Sequence, residues 1–423
     1  MSKELFFRLL WIVAAIAFYR FGSHVPVYGV DHKLMSEFFA SSTNEMLSVY
    51  NLLSGGSISR MSVLSLGITP FITASIFVQI ATLVSPKWKG IKESGPTGIR
   101  MLNLRIRLIT LMISVFMSVS LLIYLKGQTF NSKAFITDTS WLIMVAATCC
   151  LMSGSFILLW LSEKLTVHGL GNGMSMLIVC AIISSLPQVG ASMFLGYSQG
   201  LMNNLDLSLV AGVIIGLFFI SLVVERTRRH LPLTYVTRDS KDRDSTLPFK
   251  ANACGIMPPV FANMLLLFPV SLVPLLSTVT DSEYLTTITV SLSPDNHWFM
   301  ALILCTTFIF SILYVFVVIR PKETALKLES NSAMIGTLLP GLETEMYLKR
   351  VSLSMGAIAG VYLVLMTLIP YMLGIYLDQQ LGFLGTTILI LVSVSVDFKK
   401  NLDTQLSKVR YKNAATAINE KFQ

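Results

Sequence analysis

The stretch SVLSLGITPFITASIFVQI, residues 62–80, is apolar enough to lie in a membrane, yet the chain enters it through NLLSGGSISR, residues 51–60. That second piece holds two adjacent glycines, three serines and an arginine. It is too polar to face lipid and too short to cross it. Hydrocarbon offers no partner to irregular backbone, so such a segment has a place only inside protein or in a water-filled cavity. The reading that follows is a membrane protein with an interior.

The rest of the chain agrees. Its 423 residues are 53% hydrophobic and 13% charged, with mean hydropathy +0.69. Charge-poor apolar windows recur at about 5–20, 61–84, 108–125, 141–161, 174–196, 207–224, 252–275, 298–319, 351–376 and 381–396, lengths that suit bilayer-spanning helices. An all-α polytopic membrane protein with about ten transmembrane helices is predicted. The N-terminal MSKELFFRLLWIVAAIAFYRFG shows no small-residue cleavage site, so its helix is expected to be retained.

Charge sets the orientation. With the N-terminus in the cytoplasm, Lys87, Lys89, Lys92, Arg100, Arg105, Arg107, Lys164 and the basic residues of about 225–251 and 320–350 share that side. The other side holds little more than Lys33, Lys126 and Lys133. The positive-inside bias therefore places both termini in the cytoplasm, and the net charge of +9 reads as topology rather than as a nucleic-acid surface. The two connections at 225–251 and 320–350 are longer than orientation needs, and loops of that kind serve as docking surfaces.

Several function classes find no support. Cys149, Cys150, Cys180, Cys254 and Cys305 lie in or beside apolar windows without metal-ligand spacing and are expected to be small buried hydrophobes. No Ser/His/Asp group, paired carboxylates or phosphate-cradling loop can be assembled, so neither an enzyme nor a cofactor is expected. Apart from Arg8 and the terminal Arg20 of the first window, the windows carry no ionisable residue. A secondary transporter, which holds its coupling ion or protons at mid-membrane, is thus the weaker alternative. What the windows do carry is Gly55, Gly56, Gly67 and Pro70 at the second, Gly169, Gly171 and Gly173 at the fifth, and Pro258 and Pro259 in the seventh. Broken helices of this kind need neighbours or water to satisfy the freed backbone.

Ten windows divide into two sets of five, and an odd number per half gives inverted halves with a pathway between them. The halves expected are residues 1–196 and 197–397, followed by a cytoplasmic tail, 398–423.

LSLGITPFITASIFVQIA (64–81) and WLSEKLTVHGLGNGMSMLI (160–178) resemble the two signature segments of the SecY family, the channel subunit of the protein-conducting translocon. YRFGSHVPVYGVD, LPFKANACGIMPPVFANMLLLFP, RPKETALKL, PGLETEMYLKRV and GTTILILVSVSVDF agree in order along nearly the whole chain. The resemblance implies a plug at about 46–60, including Leu52, Leu53, Ser54, Gly55, Gly56, Ser57, Ile58, Ser59 and Arg60, with pore wall from 61 onward. It implies an apolar pore ring of Ile68, Ile72, Met174, Ile178, Val260 and Ile390. A collar of that kind fits any passing polypeptide and dewets when empty. The lateral gate would involve Thr73, Gln79, Asn263 and Phe268.

Because nothing here resembles an ATP site, the resemblance also implies an external motor, a SecA-type ATPase or, as the weaker alternative, a ribosome. The motor would dock on Arg226, Arg228, Arg229, Arg238 and Arg243 of one loop and on Lys322, Leu339, Lys349 and Arg350 of the other. Small SecE-like and SecG-like or accessory membrane subunits, the lipid bilayer and unfolded preprotein complete the implied partners, in a bacterial plasma membrane. Two departures stand out: the loop tip DSKDRDST (239–246) is short, and the position before PG, where the family usually has arginine, is Leu339. They favour an accessory SecY paralogue of Gram-positive bacteria, working with an accessory SecA on serine-rich glycosylated surface proteins. A housekeeping channel for general secretion and membrane insertion is the open alternative.

Overall fold

The computed structural model describes residues 3–41, 51, 54–127, 129–130, 133–136, 140–198, 203–235, 245–266, 297–336, 338–377 and 384–422. The described residues form two compact units. One draws on Met1–Leu201, Met264–Phe299 and Asp397–Gln423, the other on Met202–Asn263 and Met300–Val396.

The first unit opens with α1 (Lys3–Gly22) and the short α2 (His32–Ser41). Asp31 starts α2 by accepting the amide hydrogens of Leu34 and Lys33 on Oδ1, and these bonds, Leu34's first, hold its carboxyl below the usual carboxylate range. Then come α3 (Thr69–Val84), α4 (Pro86–Glu93) and α5 (Pro96–Gly127). Pro70 and Pro86 stand in the first turns of α3 and α4, where a missing N–H costs nothing. The residue before Pro86, Ser85, is extended, as proline demands of its predecessor, and α3 and α4 meet at 100°. The hairpin β1 (Thr129–Phe130) with β2 (Lys133–Ala134) leads to α6 (Trp141–His168) and α7 (Gly173–Ser198).

Packing in this unit relies on small and self-satisfied residues. Thr110, Ser114 and Ser118 on α5 are buried, and each hydroxyl donates to a carbonyl of its own helix. Met61, Leu66, Ile113, Met117, Phe135 and Leu151 belong to one buried cluster.

The second unit contains α8 (Asn204–Arg226), β3 (Arg228–Tyr235), β4 (Ser245–Lys250), α9 (Met257–Leu266, up to Asn263), α10 (His297–Ile319, from Met300), α11 (Pro321–Ser330), β5 (Ala333–Ile335), α12 (Leu342–Leu377) and the start of α13 (Leu384–Phe422). Asp206 accepts the Asn203 amide at 3.0 Å and so closes the first turn of α8. Gly356 and Gly360 of α12 let it approach α10: a Cβ on the first would lie 3.1 Å from Ile312 Cα, and one on the second 2.7 Å from the Phe308 ring.

Three findings differ from the sequence reading. The window at 61–84 becomes helical only at Thr69; residues 54–68 are turns, because Gly55, Gly56, Met61 and Gly67 all adopt positive φ. The loops at 225–251 and 320–350 build a three-stranded sheet in the order β4-β3-β5 over a core of Leu231, Ala325, Leu328, Ile335 and Leu348. Finally, Cys149 and Cys305 are exposed on the outer faces of apolar helices, whereas Cys180 and Cys254 are buried as expected.

Among the described residues, six helices are long and apolar enough to cross a membrane, or seven if α3 and α4 are one bent span. Gly173–Pro187 and Met257–Leu266 are shorter apolar helices. The chain is an all-α polytopic membrane protein with a small sheet-bearing extension.

Candidate plug, pore lining and docking face

The polar segment that precedes α3 folds on itself. Asn51 organises it: its carbonyl accepts the Gly56 amide at 2.7 Å and Ser54 Oγ at 3.0 Å, and its side-chain Oδ1 accepts the Ser59 amide at 3.0 Å. Ser59 Oγ donates to the Gly56 carbonyl and Ser65 Oγ to that of Ser57. Ser54, Ser57, Ile58 and Ser59 are buried, as are both glycines, and Arg60 is half-buried. Leu52 and Leu53 lie outside the described residues. Two contacts anchor the segment: the Tyr19 hydroxyl of α1 donates to the Ser54 carbonyl at 2.7 Å, and Gly55 fits between the Tyr19 ring and the Ala181 carbonyl of α7. Residues 54–59 are buried within protein, as a stretch too polar for lipid requires.

These anchors give a first testable expectation. A Cβ on Gly55 would stand 2.8 Å from Tyr19 Cε1 and 3.0 Å from Ala181 O, on a residue with φ of +66°. Gly55→Ala is expected to loosen the segment by about 1 to 3 kcal/mol, and Tyr19→Phe by about 1 kcal/mol. The measurement is the rate at which a water-soluble thiol reagent reaches Ser59→Cys in an otherwise cysteine-free chain. Rates matching the parent in both variants would show that neither contact holds the segment.

The implied pore residues occupy helix entrances. In the first unit Ile68 immediately precedes α3 and Ile72 sits one turn on, both buried. Met174 and Ile178 are likewise one turn apart at the start of α7, the methionine half-buried and the isoleucine buried. A four-residue spacing places each pair on one helix face. In the second unit Val260 follows Pro258 and Pro259 in the first turn of α9, and Ile390 lies in α13; both are buried. Of the implied gate residues, Thr73 is buried with its hydroxyl on the Thr69 carbonyl, Gln79 is half-buried and Asn263 buried. Phe268 lies outside the described residues.

The implied docking residues that are described are surface groups. Arg226, Arg228 and Arg229 are exposed at the foot of the β3–β4 hairpin, Lys322 on α11, and Lys349 and Arg350 on α12. Lys349 is committed to Glu345 at 2.8 Å. Arg238 and Arg243 lie outside the described residues. Leu339 is 61% exposed, in company with exposed Leu342 and Met346.

The SecY family model matches residues 62–399. This chain belongs to the SecY family. It is 30% identical to the protein translocase subunit SecY of Escherichia coli strain K12, over 99% of this chain and 95% of that one. It is 28% identical to the SecY subunit of Helicobacter pylori strain J99, over 97% and 98% respectively. A solved structure described as a protein-conducting channel superposes with a TM-score of 0.69 at 18% identity, covering 96% of this chain and 94% of that one. A SecY whose plug domain is described as stabilising the closed state and maintaining a membrane seal gives 0.67, also at 18%, with the same coverages. Sec61 from a canine ribosome-channel complex gives 0.65 at 17%, again covering 96% and 94%. At these identities the structural likenesses carry the fold.

Polarity picks out the segment at 51–60, Asn51 included, but not the groups that anchor it, Tyr19 and Ala181. Tyr19 stands in the quoted YRFG block, and only the folded chain shows what its hydroxyl meets. Glu225 and Asn252 were also missed. The one signal was a carboxylate directly abutting the apolar window at 207–224.

Proposed function

We propose that this SecY-family protein-conducting channel is an accessory translocon subunit. It exports unfolded preproteins, serine-rich glycosylated surface proteins foremost, across a bacterial plasma membrane in which both its termini face the cytoplasm. An accessory SecA-type ATPase drives transport, docking on the hairpin and on the tip around Leu339. SecE-like and SecG-like or accessory small subunits flank the channel. The plug closes it from residues 46–60, the six-residue apolar ring seals around the passing chain, and hydrophobic segments leave laterally past Thr73, Gln79, Asn263 and Phe268. Residues 1–196 and 197–397 act as the two inverted halves.

The observation that carries the accessory reading is the apolar tip. Leu339, Leu342 and Met346 are exposed together where the family usually presents arginine. A guanidinium pairs carboxylates through two parallel bonds, which leucine cannot do. A motor built to meet arginine would leave a polar group unsatisfied here, at a cost of about 1 to 3 kcal/mol, which is about tenfold or more in affinity.

The test is ATPase stimulation by the reconstituted channel with the host's accessory and housekeeping SecA in turn. The accessory motor is expected to respond about tenfold more strongly, and Leu339→Arg to move the preference towards the housekeeping motor. Equal stimulation of both, unmoved by the substitution, would make this a housekeeping channel. That second reading draws support from the end-to-end match to the Escherichia coli subunit.

A further inference from the structure

Two buried polar residues at the root of the hairpin have no part in the proposed function so far. Glu225, in the last turn of α8, is 2% exposed, and Asn252, just past β4, is fully buried. Asn252 Nδ2 donates to Glu225 Oε1 at 2.7 Å and to the Gly255 carbonyl at 3.1 Å.

Their position in the chain gives the bond its meaning. The β3–β4 ladder ends at Arg228 opposite Lys250, and the Ala251 amide adds one more rung to the Thr227 carbonyl at 2.9 Å. The carboxylate–amide bond therefore closes the hairpin where its two strands become α8 and the approach to α9. Beyond it, Cys254 Sγ lies 3.2 Å from both the carbonyl and Oγ of Ser311, and that hydroxyl donates to the Gly356 carbonyl at 2.8 Å. Gly255, between these pinned points and α9, has a φ of +63° and open space where a Cβ would stand. The chain is thus held at residues 252, 254 and 255, the last through both its amide and its carbonyl, and is helical from 257 onward, with Val260 in the first turn.

We infer that the Glu225–Asn252 bond is a clasp that makes the hairpin and the entrance of α9 move together. A push on the hairpin then reaches Val260 instead of being absorbed at the junction. Glu225 and Asn252 are positioning residues for transport. A hydrogen bond shielded from water suits this role, because breaking it strands a buried polar group. The inference rests on the reading of the hairpin as a motor-docking face.

The test compares Glu225→Ala and Asn252→Ala, which break the bond, with Glu225→Gln, which keeps an acceptor for Asn252. In the full channel without a motor, amide exchange over 253–257 is expected to rise about tenfold in both alanine variants, to stay as in the parent in Glu225→Gln, and to leave the ladder amides of Arg229, Leu231 and Leu233 unchanged. In proteoliposomes, preprotein delivered per ATP is expected to fall about tenfold in the alanine variants while motor binding holds. Parental exchange in Asn252→Ala, a Glu225→Gln variant as impaired as Glu225→Ala, unchanged transport per ATP, or loss of ladder protection would each overturn the clasp. A parent channel that stimulates no motor would overturn the docking reading instead, and the exchange result would still decide the clasp.

Discussion

Channels carrying Ile72→Asn together with Ile390→Asn are expected to conduct ions at rest, about tenfold or more above the parent in planar bilayers. Both isoleucines are nearly inaccessible, 4% and 2% exposed. An isoleucine side chain gives water nothing to bond to, so a narrow collar of such groups stays dry and blocks ions without any gate of charge. Each asparagine brings an amide whose burial without partners costs about 2 to 7 kcal/mol on a scale with no compensation. Water drawn in to meet that demand opens a path for ions. The control is Val361→Asn on α12, where the native side chain is 53% exposed on the helix surface and no change in conductance is expected. Parental conductance in the double variant would remove Ile72 and Ile390 from the pore lining.

The second large effect concerns assembly. Gly154 of α6 faces the Val63 carbonyl, and a Cβ at that site would overlap the carbonyl oxygen and carbon. Those are backbone atoms held by the Val63 amide's bond to the Val25 carbonyl at 2.9 Å and by the Met61 carbonyl's bond to the Val27 amide at 2.9 Å. They cannot swing aside as a side-chain tip would. Gly154→Val is expected to cost at least about 3 kcal/mol, beyond ordinary overpacking because the obstacle is main chain. In cells this reads as loss of full-length channel from the membrane fraction, and in detergent as a clear drop in Tm. A Gly154→Val channel with parental Tm would show that α6 does not rest on this segment.

The membrane class and the helix positions were legible because both depend on chain-local properties. Runs such as 108–125 and 207–224 lie wholly inside α5 and α8. The start of α3 was not legible: Gly67 and Pro70 mark a break, but hydropathy alone does not say which side of a break is helical. Met61, with φ of +44°, adds a left-handed residue that its side chain gives no hint of. The sheet escaped notice for another reason, since β3 pairs with β5 about a hundred residues later, Leu233 against Ile335. The exposed Cys149 and Cys305 show a limit particular to membranes: inner and outer faces of a spanning helix are both apolar, so hydrophobicity does not separate them. Ile72 and Ile390 look like any other membrane isoleucine, and only the family motifs single them out.

The segment between Asn51 and Ser65 bonds largely to itself. Asn51 with Ser54, Gly56 and Ser59, Ser59 with Gly56, and Ser65 with Ser57 are all internal pairs, whereas the Tyr19 bond ties Ser54 to a neighbouring helix. A piece of chain organised in this way keeps its shape largely by its own bonds. The hydroxyls of Ser54, Ser59 and Ser65 are satisfied from within it, so these groups do not depend on a neighbouring helix. It is tied to its surroundings by the Tyr19 phenol on Ser54, the seat of Gly55, and the backbone bonds of Met61 with Val27 and of Val63 with Val25. Under the proposed plug role, release of the segment is governed by the neighbours Tyr19, Val25 and Val27 and by the seat of Gly55, and can be retuned there without rewriting the serines that hold the segment together.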